Sequence, residues 1–199
     1  MEHRGHRGWK KQIFTSYEQL PLGTGTYNND LWVEKQLVNL RSGNHVAAPD
    51  QRNKLLAKWV SKVSTDTVTI VDYGGGLGLS YFPLMSVTNK NIDYHIVEVP
   101  KVVEVGRAEI PQITFTPTIP KEMSGLDIFY IGTSMQYARD WKILIEQVVN
   151  LKPGRIILTS TCAGDVPTYL AVQVWESYKE LPEEYQITHL INYIFERKK

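Results

Sequence analysis

The sequence is poor in cysteine and carries no excess of charge of either sign. Cys162 is the single cysteine among 199 residues. This excludes an intramolecular disulfide, which needs two cysteines, and a Cys-rich zinc site, which needs several as ligands. Lys and Arg total 22 and Asp and Glu total 21, for a formal net charge of +1. This balance argues against a strongly basic nucleic-acid binder that depends on phosphate contacts. An unpaired cysteine favours a reducing, cytoplasmic compartment.

Long apolar runs are also missing. No stretch approaches the roughly 18 consecutive apolar residues that a membrane-spanning helix needs, so we expect no membrane insertion. The cationic opening of residues 1–11 is not followed by the apolar stretch of a secretory signal, and we expect it to be a solvated, partly disordered arm. Its two histidines, His3 and His6, are too few for a closed site, so no metal is expected.

Strand and helix signals alternate along most of the chain. Helices are predicted at 31–41, 51–63, 80–87, 102–109 and 141–151, and strands at 67–72, 94–98, 113–116, 126–131 and 155–160. This alternation predicts an α/β fold with a doubly wound, mostly parallel sheet of the Rossmann-like type. We divide the chain into an N-terminal arm and helical cap, 1–64, and an α/β body, 65–199, within one compact domain.

The last part of the chain is less legible. Residues 169–178 are too evenly apolar to distinguish a helix from a strand. Residues 185–187 and 193–195 are weak strand candidates. How these segments complete the sheet is left open.

A glycine-rich turn follows the first strand of the body, in the run Asp72-Tyr73-Gly74-Gly75-Gly76-Leu77-Gly78. Glycines permit a sharp turn with positive φ and let a ligand approach the backbone, and the following helix begins with amides that favour an anionic group. The dinucleotide spacing G-x-G-x-x-G fails, because Leu79 or Tyr81 stands where its third glycine is needed. The phosphate-loop spacing fails as well. The pattern that fits is acidic-x-G-x-G-x-G.

This turn resembles the first motif of the class I S-adenosylmethionine-dependent methyltransferases. Glu98 at the end of the second strand, residues 133–137 after the fourth strand and the turn at 151–155 are similar to further motifs of that superfamily. From about Trp9 to Tyr178 the chain looks like one group of its members that has no assigned substrate. Two features of this chain differ from that group. The chain reads Thr159-Ser160-Thr161-Cys162 where the group has an Asp-Arg-Thr-Pro-like run, and its tail after Tyr178 is short for the group.

The resemblance implies S-adenosylmethionine as the cofactor. The glycine turn would receive its methionine portion, with the ammonium near Asp72, and Glu98 would accept hydrogen bonds from the ribose hydroxyls. Residues 116–119 would form the adenine wall. The implied cofactor-binding residues are Asp72, Tyr73, Gly74, Gly75, Gly76, Gly78, Glu98, Val99, Thr118, Thr133, Ser134 and Met135.

The resemblance further implies methyl transfer to an acceptor that the residues do not identify, of a small-molecule or saccharide type. Gln136 and Tyr137 are expected to line its site. A general base is needed only for a weak nucleophile that must lose a proton, and the pool of candidates is His45, Tyr137, Asp140 and Tyr169. The aromatic residues Trp9, Tyr17, Tyr27 and Trp32 either cover an acceptor pocket or, as is more common, pack in the core or an interface.

Two alternatives stay open at this point. One is a catalytically inactive cofactor-binding or interaction module with the same fold, favoured by the lack of a distinct base. The other is a dinucleotide-dependent oxidoreductase, which needs the glycine spacing that is absent here. The oligomeric state is not predicted, and no strong nucleic-acid signal is present.

Overall fold

The computed structural model describes residues 7–20, 26–43, 50–161, 169–175 and 184–188. The strands are β1 (Arg7–Phe14), β2 (Thr67–Tyr73), β3 (Asn91–Val97), β4 (Thr114–Thr116), β5 (Ile128–Gly132), β6 (Arg155–Thr159), β7 (Tyr169–Trp175) and β8 (Glu184–Thr188). The helices are α1 (Asp30–Arg41), α2 (Gln51–Val60), α3 (Tyr81–Met85), α4 (Pro100–Glu109) and α5 (Trp141–Asn150).

The main sheet has five strands in the order β4-β3-β2-β5-β6. Every neighbouring pair in it is parallel. The chain winds outward from β2 through β3 to β4, then returns to the other side of β2 as β5. This reversal places a topological switch point between β2 and β5, where the carboxyl ends of the strands leave a crevice that ligands use in open α/β sheets.

Alternate residues of the inner strands face two separate cores. Ile70 of β2 and Tyr130 of β5 belong to a core with residues of α1, α2, α3 and α4. Their neighbours Val71 and Ile131 belong to a second core with Leu144 of α5. A sheet covered by helices on both faces needs strands that are apolar in both directions, and the predicted doubly wound, parallel fold is confirmed.

The N-terminal helices belong to the same packed layer as the body. Val33 of α1 and Leu56 and Val60 of α2 are buried in the first core. Residues from both sides of position 64 thus pack in one core. The division into a cap, 1–64, and a body, 65–199, stays a prediction. Within the described residues, none of the helices has the length and apolar content to cross a bilayer.

A second, three-stranded sheet has the order β1-β7-β8 and is antiparallel. The expectation of a partly disordered arm is wrong for residues 7–11, because they lie in β1. Arg7, Gly8 and Trp9 pair with β7. The ambiguous segment after residue 168 is a strand over Tyr169–Trp175. Local sequence patterns do not show this pairing, since the partners Phe14 and Leu170 lie far apart in the chain. Residues 1–6 and 193–195 lie outside the described residues.

The start of α2 depends on one capping side chain. Asp50 Oδ1 accepts hydrogen bonds from the backbone N–H groups of Arg52 at 2.9 Å and Asn53 at 3.0 Å. We expect Asp50→Ala to lower the free energy of unfolding by about 1 kcal/mol, the usual cost of losing an N-cap acceptor. Urea denaturation measures this, with Asp50→Asn as the control that keeps an acceptor oxygen. Equal stability of Asp50→Ala and the unaltered protein would contradict the capping role.

Candidate functional site

A cavity of about 450 Å³ lies at the switch point of the main sheet. Its volume is within the range of small-molecule sites, about 300–1,000 Å³. Its wall is formed by Tyr27, Trp32, Gln36, Tyr73, Gly74, Gly76, Leu79, Val97, Glu98, Val99, Pro100, Pro117, Thr133, Ser134 and Tyr137. The carboxyl ends of β2, β3 and β5 and the face of α1 therefore meet around one space.

The glycine turn after β2 is pressed against the end of β5. Gly74 has φ of 73°, and a Cβ atom at this position would lie 2.8 Å from Ser134 Oγ. The Ser134 hydroxyl in turn donates to the Tyr73 carbonyl oxygen, and Gly74 N–H donates to the Val97 carbonyl oxygen at 2.9 Å. Only glycine satisfies both the left-handed backbone and the close approach.

Glu98 is fixed at the edge of the cavity by two backbone amides. Its Oε1 accepts from Gly76 N–H at 3.0 Å and its Oε2 from Val99 N–H at 2.9 Å. Burial raises the pKa of Glu98, against the lowering effect of these two hydrogen bonds. Two carboxylate oxygens offer about four acceptor positions, so each oxygen can still accept a hydroxyl donor while it holds its amide.

Gln36 brings α1 into direct contact with the glycine turn. Its Oε1 accepts a hydrogen bond from Leu77 N–H at 3.2 Å. The same oxygen would lie 2.6 Å from a Cβ atom at Gly76, whose φ is 58°. The absence of a side chain at position 76 thus lets the N-terminal helix reach the backbone of the turn.

Asp72 lies beneath the turn, and it does not line the cavity. Its side chain is buried, and its Oδ2 accepts the hydroxyl of Tyr94 at 2.7 Å. Burial raises the pKa of Asp72 from 3.8 to about 7, with a lowering effect from the Tyr94 hydrogen bond and a further rise from Glu98. The carboxyl group lies against Gly75, where a Cβ atom would be 2.6 Å from Asp72 Oδ2.

The end of β5 carries local backbone strain. Thr133 is β-branched and has φ of 65°, a conformation that such residues rarely adopt. Its N–H donates to the Thr159 carbonyl oxygen at 3.0 Å, which holds it in place. Strain of this kind at the wall of a cavity is typical of functional positions.

Aromatic rings from the cap close the cavity on the β5 side. Tyr27 lies 5.0 Å from Trp32 and 4.9 Å from Tyr137 between ring centroids, with interplanar angles of 81° and 68°. These are edge-to-face contacts of the favourable kind. We call Tyr27, Trp32 and Tyr137 the aromatic cluster.

The structure brings eight of the residues expected at the site to the wall of the cavity. They are Tyr73, Gly74, Gly76, Glu98, Val99, Thr133, Ser134 and Tyr137. The others that the structure describes do not line it, namely Asp72, Gly75, Gly78, Thr118, Met135, Gln136, Asp140 and Tyr169. His45 lies outside the described residues. The roles of all these residues stay predictions.

The sequence did not indicate that Gln36 and Leu79 line the cavity, and it favoured a core or interface role for Tyr27 and Trp32. Pro117, which does line it, lies within the predicted adenine wall of residues 116–119. One signal was available for α1: Trp32 and Gln36 stand four positions apart and so share one face of the helix. What that face packs against depends on tertiary docking. Within the described part of the chain, no group of three or more His, Cys, Asp or Glu side chains is placed to hold a metal ion.

No protein-family model matches the chain, and no curated protein matches it. Similar solved structures include 1,6-didemethyltoxoflavin-N1-methyltransferase of Burkholderia thailandensis, at 14% identity and a TM-score of 0.47 over 89% of this chain and 78% of that one. DesVI of Streptomyces venezuelae is 11% identical, with a TM-score of 0.47 over 82% and 85% of the two chains.

A candidate S-adenosyl-L-methionine-dependent methyltransferase of Methanococcus maripaludis is also similar, at 11% identity and a TM-score of 0.48 over 67% of this chain. The match covers 62% of that chain, and a match to YcgJ of Bacillus subtilis covers 53% of YcgJ. The chain thus matches less than two thirds of the length of these two proteins. The fold assignment rests on the strand order and on the helices on both faces of the sheet.

Proposed function

We propose that the chain is a methyltransferase that uses S-adenosylmethionine and acts on a small-molecule acceptor. The observation that carries the proposal is the convergence of a glycine turn, the fixed carboxyl group of Glu98 and the end of β5 on one cavity. A single glycine turn or a single acid would fit many α/β proteins. The cytoplasmic location expected from the sequence stays a prediction.

The residues present fit the cofactor by the chemistry of their donors and acceptors. Glu98 has acceptor positions left over for the two ribose hydroxyls, and its orientation is set before binding by the amides of Gly76 and Val99. Gly74 and Gly76 let Ser134 and Gln36 approach the backbone of the turn closely, and both glycines line the cavity in which the methionine portion would lie. Pro117, next to the predicted adenine-binding residue Thr118, is at the wall of the same cavity.

When bound, the cofactor supplies an electrophilic methyl group on a sulfonium. The chain would hold the acceptor in line with the bond that breaks, at about 3 Å from the methyl carbon, and such alignment supplies much of the rate. Thr133, Ser134 and Tyr137, which follow β5, would border the reacting atoms, since all three line the cavity and Ser134 lies against Gly74 of the glycine turn.

The expected result of Glu98→Gln is a 10- to 100-fold loss of affinity for S-adenosylhomocysteine, about 1.4–2.8 kcal/mol. The amide would turn an NH₂ group towards the N–H of Gly76 or Val99, so one fixed contact is lost. Isothermal titration calorimetry measures this, with Glu122→Gln at an exposed acid as the matched control. If the unaltered protein, shown to be folded, does not bind S-adenosylhomocysteine, the proposal fails.

A catalytically inactive module is the second candidate. The observation in its favour is that Tyr137 alone, among the expected bases that the structure describes, is at the cavity wall. Binding of the cofactor without transfer of labelled methyl to any class of acceptor would favour this candidate. Transfer to one acceptor would exclude it.

A further inference from the structure

The aromatic cluster lies one helical turn away from the glycine turn. Gln36 contacts the backbone of Leu77, and Trp32 stands four positions earlier on the same face of α1, about 5.4–6 Å along the helix axis. Trp32 contacts Tyr27, which contacts Tyr137 beyond the end of β5. The cavity therefore has a glycine-turn half, suited to the cofactor, and an aromatic half beside it.

The residues that the structure describes in the wall of this cavity include no positively charged side chain. Glu98 is the one residue with a carboxyl group in it, and no Lys, Arg or His is among the described residues that line it. Two cations that follow lining residues in the chain are engaged elsewhere. Lys101 pairs with Asp30, and the Arg139 guanidinium lies 4.9 Å from the ring of Tyr17.

This distribution disfavours an acidic acceptor. A phosphate or carboxylate in a largely apolar cavity needs a paired cation or several donors to offset its desolvation. The aromatic half instead places three aromatic side chains at the wall of the cavity. Aromatic rings stack on flat groups and attract cations within about 6 Å of a ring centroid.

This inference rests on the proposed function. We propose that the acceptor is an amine carried on a flat, uncharged or cationic group, and that the aromatic cluster binds this group. The nitrogen lone pair forms the new N–C bond to the methyl carbon as the C–S bond breaks. The electron pair of that bond stays on sulfur, and the N–H proton leaves to water. An amine that binds as its ammonium ion first gives one proton to water, and the free base then has its lone pair ready, so the step needs no side-chain base at the wall.

The test compares acceptor analogues that share a ring and differ in charge. Tryptamine and 2-phenylethylamine are titrated against indole-3-propionate and 3-phenylpropionate, on the protein saturated with S-adenosylhomocysteine, by ligand-detected NMR. We expect each amine to bind about tenfold tighter than its matched carboxylate, which corresponds to about 1.4 kcal/mol. The assay reads binding and does not depend on turnover.

Two substitutions connect this preference to the cluster. Trp32→Leu is expected to weaken amine binding about tenfold, whereas Trp59→Leu on α2, outside the wall of the cavity, leaves it unchanged. Leu79→Lys adds a cation at a lining residue that is 55% exposed, so it should shift the preference towards the carboxylates with little effect on folding.

The outcomes distinguish a failure of the acceptor class from a failure of the proposed function. Carboxylates that bind as tightly as the amines, or amines that do not bind at millimolar concentration to the S-adenosylhomocysteine complex, overturn the acceptor class and leave the methyltransferase proposal standing. Absence of S-adenosylhomocysteine binding removes the proposed function and this inference with it. An unaltered amine preference in Leu79→Lys and Trp32→Leu would show that the cluster does not set it.

Discussion

Replacing Gly74 with alanine is expected to lower the free energy of unfolding by roughly 2–5 kcal/mol and to abolish binding of S-adenosylhomocysteine. About 1–2 kcal/mol comes from holding an L-residue at a positive φ, here 73°. Another 1–3 kcal/mol or so comes from overpacking, because the new methyl group would lie 2.8 Å from Ser134 Oγ and even closer to Ser134 Cβ. Relief of this contact requires the turn to move away from the end of β5, which distorts the crevice.

Gly125→Ala is the matched control for this prediction. Gly125 has φ of 72°, almost the same as Gly74, but a Cβ atom there would meet nothing within 4 Å. It should therefore show the cost of the backbone conformation alone, about 1–2 kcal/mol, and bind S-adenosylhomocysteine normally. Chemical denaturation and calorimetry of both variants separate the two contributions.

A second variant shows whether the Ser134 contact is responsible. Gly74→Ala combined with Ser134→Gly removes the side chain that the new methyl group would meet, so the pair should be less destabilised than the sum of the single changes. A destabilisation of Gly74→Ala equal to that of Gly125→Ala, or strict additivity in the double variant, would show that the close approach is not important.

Local signals in the sequence were enough to predict the main sheet. Residues 67–72 and 126–131 are short β-branched or apolar runs between turn residues, and they are the inner strands β2 and β5. The place of Glu98 beside the glycine turn was implied by the motif resemblance, and the hydrogen bond from Gly76 N–H to its side chain agrees with that placement. The strand assignments themselves need only neighbours in the chain.

The wall contributed by the N-terminal segment could not be predicted in the same way. The contact of Gln36 with Leu77 joins residues 41 positions apart, and the position of Tyr27 against Tyr137 depends on how α1 docks on the sheet. The pairing of β1 with β7 spans most of the chain. The helix after the glycine turn was expected over 80–87 but is only Tyr81–Met85, with Pro83 inside it, so the expected role of its amides is weaker than the sequence indicated.

The pH dependence of folding should be governed in part by Asp72. Its carboxyl group is 1% exposed and accepts the Tyr94 hydroxyl at 2.7 Å, and burial raises its pKa from 3.8 to about 7. Between these two values the unfolded chain releases the proton while the folded chain keeps it. The folded state binds more protons there, so the stability contributed by this group is complete below about pH 4 and is lost as the pH rises to about 7.

The size of this effect can be isolated with Asp72→Asn, in which an uncharged amide oxygen can still accept the Tyr94 hydroxyl. The difference between the two pKa values corresponds to about 4 kcal/mol. Relative to the unaltered protein, Asp72→Asn should have a similar free energy of unfolding at pH 4 and should be more stable by up to about 4 kcal/mol at pH 8. Urea denaturation at four pH values from 4 to 8, without cofactor, gives the two curves.

Tyr94→Phe tests the same linkage from the other partner. The Tyr94 hydrogen bond lowers the pKa of Asp72, so its removal should raise that pKa further and extend the pH-dependent loss of stability above pH 7. Asp66→Asn removes an exposed carboxylate and should leave the shape of the curve unchanged. Curves for Asp72→Asn and the unaltered protein that run parallel from pH 4 to pH 8 would mean that Asp72 is already ionised in the folded state, and that the base of the glycine turn holds a buried negative charge.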